Sequence, residues 1–387
     1  VRGKKVRVEG LKVGSLSRKQ TYALIVAFSL AEALTHFGNA NPIRGDPALD
    51  FDSPFYVHML YYLKGLVKRP PSSPFNMRPL VPMLALPLSY LVGVNNAFGV
   101  VNTAFWILTA IALYRLVESL FRSWEVAIIS SILFSSSVPA LVYGAAISTD
   151  MAGLFLITIG LLLALRARSV KAYVFEGLLV GVGVLAREPV SILVPTIALM
   201  RLLEKPLSIK RTTSELLIVC LIASVPLLAY WWIIPEPNYT AYFAGNVASA
   251  FTTTKLLNSL KQVILTYHIG YLYVAALPVR KELRFNKAVY AILVSTVGFL
   301  IFDYFVGLPS SRFIFLTAPV ILPLMATGAR GLSHRLMKGS RPEGALMAAL
   351  LALYILSSNV GTANKNLCFP SLNDEPIARL LPPLSSQ

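Results

Sequence analysis

The stretch Tyr143-Gly-Ala-Ala-Ile-Ser-Thr-Asp150-Met-Ala-Gly-Leu-Phe-Leu-Ile-Thr-Ile-Gly-Leu-Leu-Leu-Ala-Leu-Arg166 holds the fold in miniature. One acid heads an apolar run, 151–167, of the length a bilayer-spanning helix needs, and a basic connector closes it. Runs of the same kind recur at 21–37, 97–117, 126–142, 174–186, 189–203, 214–234, 263–279, 289–306, 312–329 and 345–360. One more, 79–93, carries Pro79, Pro82 and Pro87. Prolines remove backbone donors and kink a helix, so this segment is expected to dip or break rather than cross. The composition agrees: 56% of the 387 residues are hydrophobic and 14% charged, with a mean hydropathy of +0.66. A soluble domain has about 45–50% apolar and roughly 25% charged residues. A soluble globule and a disordered chain are both excluded, and no strict alternation marks a membrane β-barrel. The expected fold is an all-α polytopic transmembrane bundle of about 11–12 spans, without a soluble domain or an internal repeat.

The 35 Lys+Arg against 18 Asp+Glu leave a net charge of +17. In a soluble protein this would suggest nucleic acid. Here the basic residues fall in short connectors, Arg115–Arg122, Arg166–Lys171, Arg201–Arg211, Arg280–Lys287 and Arg330–Arg341, and in the N-terminal arm. Positive-inside orientation and anionic headgroups explain them without nucleic acid. Residues 1–20 then form a cytoplasmic arm and 21–360 the transmembrane domain. Residues 38–78 form an outer loop with a surface helix, and 143–150, 235–262, the link Gly307–Arg312 and the tail 361–387 also face outward. Cys220 lies in an apolar run and Cys368 in the tail, so no structural disulfide is expected. The run 21–37 carries Glu32 and His36, no small-residue cleavage pattern follows it, and it reads as the first span.

Polar groups at membrane depth are costly, which makes each a functional candidate. Asp46, Asp50 and Asp52 cluster in Gly45-Asp-Pro-Ala-Leu-Asp-Phe-Asp-Ser-Pro-Phe-Tyr56, where Asp46 reads best as a turn former. Asp150 is either a site acid or the N-cap of the helix it precedes. Arg187 and Glu188 sit at the apex of a short hairpin, as an internal salt bridge or as an anion site beside its own carboxylate. Arg312 and Arg78 stand apart from the basic connectors as functional candidates or as snorkelling arginines. Tyr56 and His58, on the amphipathic helix before Gly65, are candidates whose plainer reading is an interfacial belt. No Walker loop, Rossmann glycine pattern, zinc spacing or nucleophile elbow is present. With no nucleotide site visible, a transferable group would arrive on a lipid carrier.

This order of features resembles the GT-C superfamily of membrane glycosyltransferases. That superfamily includes protein O-mannosyltransferases, lipid A aminoarabinose transferases and the oligosaccharyltransferase catalytic subunit. The matching features are Asp50-Phe-Asp52 before an aromatic helix ending Leu-Lys-Gly65, the Pro-rich segment after Arg78, and Ser-Thr-Asp150 heading an apolar helix. Leu178–Pro195 with Arg187-Glu188, and Ser311-Arg-Phe313 before Pro319, complete the set. The tail 361–387 is too short for the large C-terminal outer domain of oligosaccharyltransferases, so membership of that branch is not expected. The resemblance implies a polyprenyl-phosphate-linked sugar as donor, a surrounding of membrane lipids, and a glycan, lipid or protein as acceptor. It implies Asp52 as the base with Asp50 its rival, Asp150 as a second acid, and Arg312, Arg187 and Arg78 as lipid-phosphate ligands. Converging acids would also suit a divalent cation, Mg or Mn, but some branches of the superfamily work without one, so the resemblance does not require it. Two rival classes remain: a non-catalytic subunit on a transferase-like scaffold, and a small-solute or lipid transporter. The transporter predicts ionisable residues deep in the spans, where the sequence offers Glu32 and Asp303.

Overall fold

In hydrocarbon every backbone N–H and C=O must be satisfied inside the protein, by helices or by a closed barrel, and long apolar runs without alternation take the α-helix. The computed structural model describes residues 17–37, 52–167, 169–203, 209–234, 253–277, 287–306, 314–337 and 342–363, and no strand occurs among them. The helices are α1 Arg18–Phe37, α2 Ser53–Leu63, α3 Leu80–Val92, α4 Val94–Phe121, α5 Trp124–Ser135, α6 Val138–Tyr143, α7 Asp150–Ala164 and α8 Val170–Ala186. They continue as α9 Leu193–Leu202, α10 Ile209–Ile233, α11 Thr253–Tyr267, α12 Gly270–Ala275, α13 Lys287–Val306, α14 Ala318–Met337 and α15 Pro342–Ala363. Four segments, Val94–Phe121, Ile209–Ile233, Lys287–Phe305 and Glu343–Val360, are long and apolar enough to cross a membrane by themselves. Along α10, Leu217, Leu221, Val225, Leu228 and Trp232 are exposed. Lipid tolerates such a surface and water does not. The protein is an integral membrane protein with an all-α polytopic fold.

The basic connectors meet at one end of the bundle. Arg18 lies 3.8 Å from Glu118 and Arg330 lies 2.6 Å from Glu125. Arg166 donates to Ser119 Oγ over 3.5 Å, and Lys287 Nζ to the Leu203 carbonyl over 2.7 Å. The opposite end holds α2, the start of α3, the loop 144–149, the start of α7, the turn after α8 and the end of α10. Small residues fix α8 against α10: a Cβ on Gly177 would stand 2.8 Å from the Val219 carbonyl oxygen, and one on Gly181 2.4 Å from that of Ala223. Glycines four apart let two helix backbones approach this closely, which gains van der Waals contact where no hydrophobic force drives association. That contact sets the height at which α8 delivers Arg187 to the far end.

Several segments differ from their expected form. The Pro-rich segment is one unbroken helix, α3, of 13 residues, about 20 Å long and too short for a hydrocarbon core of roughly 30 Å. Pro79 is its N-cap and Pro82 lies in its first turn, where the missing N–H has no intrahelical partner to lose. Gly93, at φ 80°, then turns the chain into α4, and Val81 and Ala85 pack in one cluster with Ala97, Phe98 and Val101. The run 126–142 is two helices, parted at Ser136-Ser137 ahead of Pro139. The run 263–279 is preceded by ten further helical residues, because α11 starts at Thr253. It turns Lys255, Ser259 and Thr266 inward, and these polar residues hid it from a hydropathy reading. Glu176 and Glu215 are also buried inside helices, at the basic end, beside Arg201. Deep acids are therefore not confined to Glu32 and Asp303.

Candidate active site

Asp52 is the N-cap residue of α2, with proline in the first turn behind it. Ser53 Oγ donates to the Ile147 carbonyl over 2.9 Å and ties α2 to the loop 144–149. One turn further, the fully buried Tyr56 places its hydroxyl 3.2 Å from Thr149 Oγ1. Phe75 stacks on Phe55 with ring centroids 4.2 Å apart and lies beneath the Arg78 guanidinium, whose Cζ is 5.6 Å from the ring centre. Arg78 Nε donates to both carboxylate oxygens of Glu188 at 2.9 Å, and Nη1 donates to the Tyr56 hydroxyl at 3.0 Å.

The loop 144–149 is itself buried. Asn102 Nδ2 holds it by donating to the carbonyls of Ala146 (2.5 Å) and Ser148 (3.1 Å). Thr149 is the N-cap of α7 and Asp150 its first helical residue. Asp150 therefore does not serve as the cap, and its carboxylate meets Arg187 instead. Arg187 ends α8 in an extended conformation and sets Nη1 2.9 Å from Asp150 Oδ1 and 3.4 Å from Thr149 Oγ1. Gly153, one turn into α7, leaves room for this side chain: a Cβ there would lie 3.1 Å from Arg187 Cβ.

Glu188, Arg78, Tyr56, Thr149, Arg187 and Asp150 thus form one continuous polar chain through an apolar bundle. The neighbours Arg187 and Glu188 reach partners on different elements, Asp150 at the start of α7 and Arg78 just before α3. Arg78 is 7% exposed and does not snorkel. Desolvation by itself would lower its pKa, but Glu188, Tyr56 and Asp52 outweigh that and raise it well above the ordinary arginine value. Asp52 is thereby placed within electrostatic reach of Arg78. His58 stands apart, with Nε2 3.0 Å from the Arg69 carbonyl oxygen, fastening α2 to the connector that follows it. Asp46, Asp50 and Arg312 lie outside the described residues. Among the described residues no group of three His, Cys, Asp or Glu side chains is placed to hold a metal ion. Two further charged residues approach from the second half of the chain. Asp303 on α13 is close enough to Arg187 and Lys255 for both charges to act on it. Lys255 had no visible signal in the sequence, because it falls in a polar stretch that reads as loop.

Residues 77–232 match the model of the dolichyl-phosphate-mannose-protein mannosyltransferase family. The match covers α3 to α10 and includes Arg78, Asp150, Arg187 and Glu188, while Asp52 and Tyr56 precede it. The crystal structure of ArnT from Cupriavidus metallidurans bound to undecaprenyl phosphate superposes with a TM-score of 0.59 at 12% identity, over 90% of this chain and 73% of that one. The chain has a GT-C fold. No curated protein matches the sequence. Within this GT-C fold the polar chain spans parts that lie far apart in sequence, with Arg78 and Glu188 110 positions apart.

Proposed function

We propose that the protein is a membrane glycosyltransferase that moves a sugar from a polyprenyl-phosphate carrier to an acceptor hydroxyl at the outer face of the membrane. The observation that carries this reading is the buried chain from Glu188 to Asp150, set beside Asp52 at one end of the bundle. The matched mannosyltransferase family and the fold shared with ArnT, which was crystallised with undecaprenyl phosphate, support the same class. In this reading the basic end is cytoplasmic, by the positive-inside rule.

Transfer breaks the bond between the sugar's anomeric carbon and a phosphate oxygen, and the electron pair leaves with the phosphate. The acceptor oxygen bonds to that carbon and gives up its proton to a carboxylate. Asp52, partly exposed at the mouth of the site, is the base, with Asp50 its rival. Asp150, fully buried against Arg187, is a positioning residue that fixes Thr149 and the start of α7. Arg78 takes the departing phosphate, a role for which the sequence also offers Arg312, since a planar guanidinium suits phosphate oxygens. Carboxylates nearby also favour the positive charge that develops on the sugar ring.

The test uses the full chain in lipid nanodiscs with a panel of labelled polyprenyl-phosphate sugars, following release of polyprenyl phosphate. Wild type should release it from one member of the panel, and Asp52→Asn should not. Failure of the wild-type protein to bind any member of the panel would sink the proposal.

A further inference from the structure

α2 buries Ser53, Tyr56, Met59 and Leu60, the three-and-four spacing of one helix face. Asp52, Phe55 and His58 are partly exposed and, being three apart, stand one above another on the open face. Asp52 and Phe55 share the first turn, where the Phe55 N–H donates to the Asp52 carbonyl over 3.0 Å. The Phe55 ring lies flat on that of Phe75, with centroids 4.2 Å apart and planes 4° from parallel. Phe75 is held in turn: the Tyr56 ring meets it edge-on at 5.8 Å, and the Arg78 guanidinium stands 5.6 Å from its centre. Among the described residues Phe75 is the only ring that Phe55 meets. A belt aromatic turns to the lipid headgroups, whereas Phe55 is stacked into a column that ends on Arg78. Both phenylalanines precede the matched stretch 77–232.

We propose that Phe55, backed by Phe75, is the platform on which the acceptor lies, and that the acceptor is a glycan whose terminal pyranose ring stacks on it. This inference rests on the glycosyltransferase reading, in which Asp52 takes the proton of the acceptor hydroxyl. A pyranose ring has a flat face of C–H groups and a rim of hydroxyls. Its C–H hydrogens are slightly positive and the face of an aromatic ring is negative, so the two attract beyond the burial of apolar area. A sugar lying on Phe55 turns its rim to the neighbouring side chains, and Asp52, three residues earlier on the same face, meets that rim. A serine or threonine offers its hydroxyl on a short stem, and an alkyl lipid has no flat face. Neither uses a planar aromatic surface. The stack on Phe75 fixes the ring plane before the acceptor arrives, which lowers the ordering cost of binding. A contact made equally in the ground and transition states acts on KM rather than on turnover.

The experiment uses the full chain in nanodiscs with labelled polyprenyl-phosphate sugars and two sets of acceptors. One set is methyl pyranosides and short oligosaccharides, the other peptides bearing serine, threonine or tyrosine. Label should pass to a pyranoside and to none of the peptides. Phe55→Leu should raise the KM for that pyranoside about tenfold, the upper scale of one aromatic contact, with the donor KM and kcat near wild type. Phe55→Tyr and Phe55→Trp should keep the acceptor KM. A change confined to the acceptor is the result that a merely structural ring would not give. Saturation-transfer NMR reads binding apart from turnover: irradiating aromatic protons should mark the C–H hydrogens of one pyranoside face in wild type, and much less in Phe55→Leu. If the leucine variant does not fold, Phe55→Met carries the same comparison. Transfer to a peptide alone, or to a pyranoside with wild-type KM in folded Phe55→Leu, overturns the proposal and leaves the transferase reading standing. Phe55-dependent pyranoside binding without transfer from any donor removes the transferase reading and keeps the platform. Neither binding nor transfer removes both.

Discussion

Asp150 and Arg187 are 0% and 2% exposed in their side chains and stand 2.9 Å apart, so the consequence of removing either can be worked from the structure. Coulomb's law gives about 4 kcal/mol for unit charges about 4 Å apart at an effective dielectric constant of about 20. Losing one partner of a buried pair costs about 3–5 kcal/mol, because the other charge stays behind without compensation. The two single variants should differ. Asp150→Asn leaves Arg187 still acted on by the Asp303 charge and should lie near about 3 kcal/mol, whereas Arg187→Gln removes a cation that acts on both Asp150 and Asp303 and should approach about 5 kcal/mol. In the double variant both charges are gone, and the loss should fall short of the sum by at least about 2 kcal/mol. Denaturant titration in mixed micelles, with all four proteins under one condition, measures the cycle. Losses that add to within about 0.5 kcal/mol would refute the coupling. All three variants should be inactive in polyprenyl phosphate release, the double variant despite its recovered stability, since the positioning of Thr149 and α7 is lost with the pair.

Tyr56→Phe removes the hydroxyl between Arg78 and Thr149. It should cost about 1–3 kcal/mol in the same titration and about tenfold in turnover. Gly153→Ala sets a methyl 3.1 Å from Arg187 Cβ and should push that side chain by a few tenths of an ångström. Turnover should fall several-fold while stability changes by no more than about 1–3 kcal/mol, so a wild-type rate would show that the fit of Arg187 over α7 is not critical. At the opposite end, Arg201 lies 3.7 Å from Glu176 and 3.3 Å from Glu215, all three buried. Arg201→Met should cost about 3–5 kcal/mol, while turnover per folded molecule, measured after correcting for the folded fraction, stays at the wild-type level.

The sequence made the helical class legible, because the pattern that decides it is local. A continuous apolar run without alternation satisfies its backbone in lipid as a helix, and the basic connectors state which ends share a side. Asp52, Asp150, Arg78, Arg187 and Glu188 also stood out, since an ionisable residue beside an apolar run is conspicuous. Their pairing was not readable. Adjacent Arg187 and Glu188 invite a mutual salt bridge, yet an extended residue followed by a turn of 3-10 helix sends the two side chains to different helices. Asp150 had the sequence look of a helix cap, but Thr149 takes that position one residue earlier. Lys255 and the start of α11 were hidden because hydropathy treats any polar cluster as loop, whichever way the residues face.

What the sequence determined by itself was therefore the solvent and the secondary structure. Composition fixes hydrocarbon as the surroundings, and continuous apolar runs without alternation there form helices. Which charge meets which was decided only in the tertiary structure, because a buried ion pair depends on the height and rotation of two helices. Those are set by contacts such as Gly177 and Gly181 against α10, far in sequence from the charges they align.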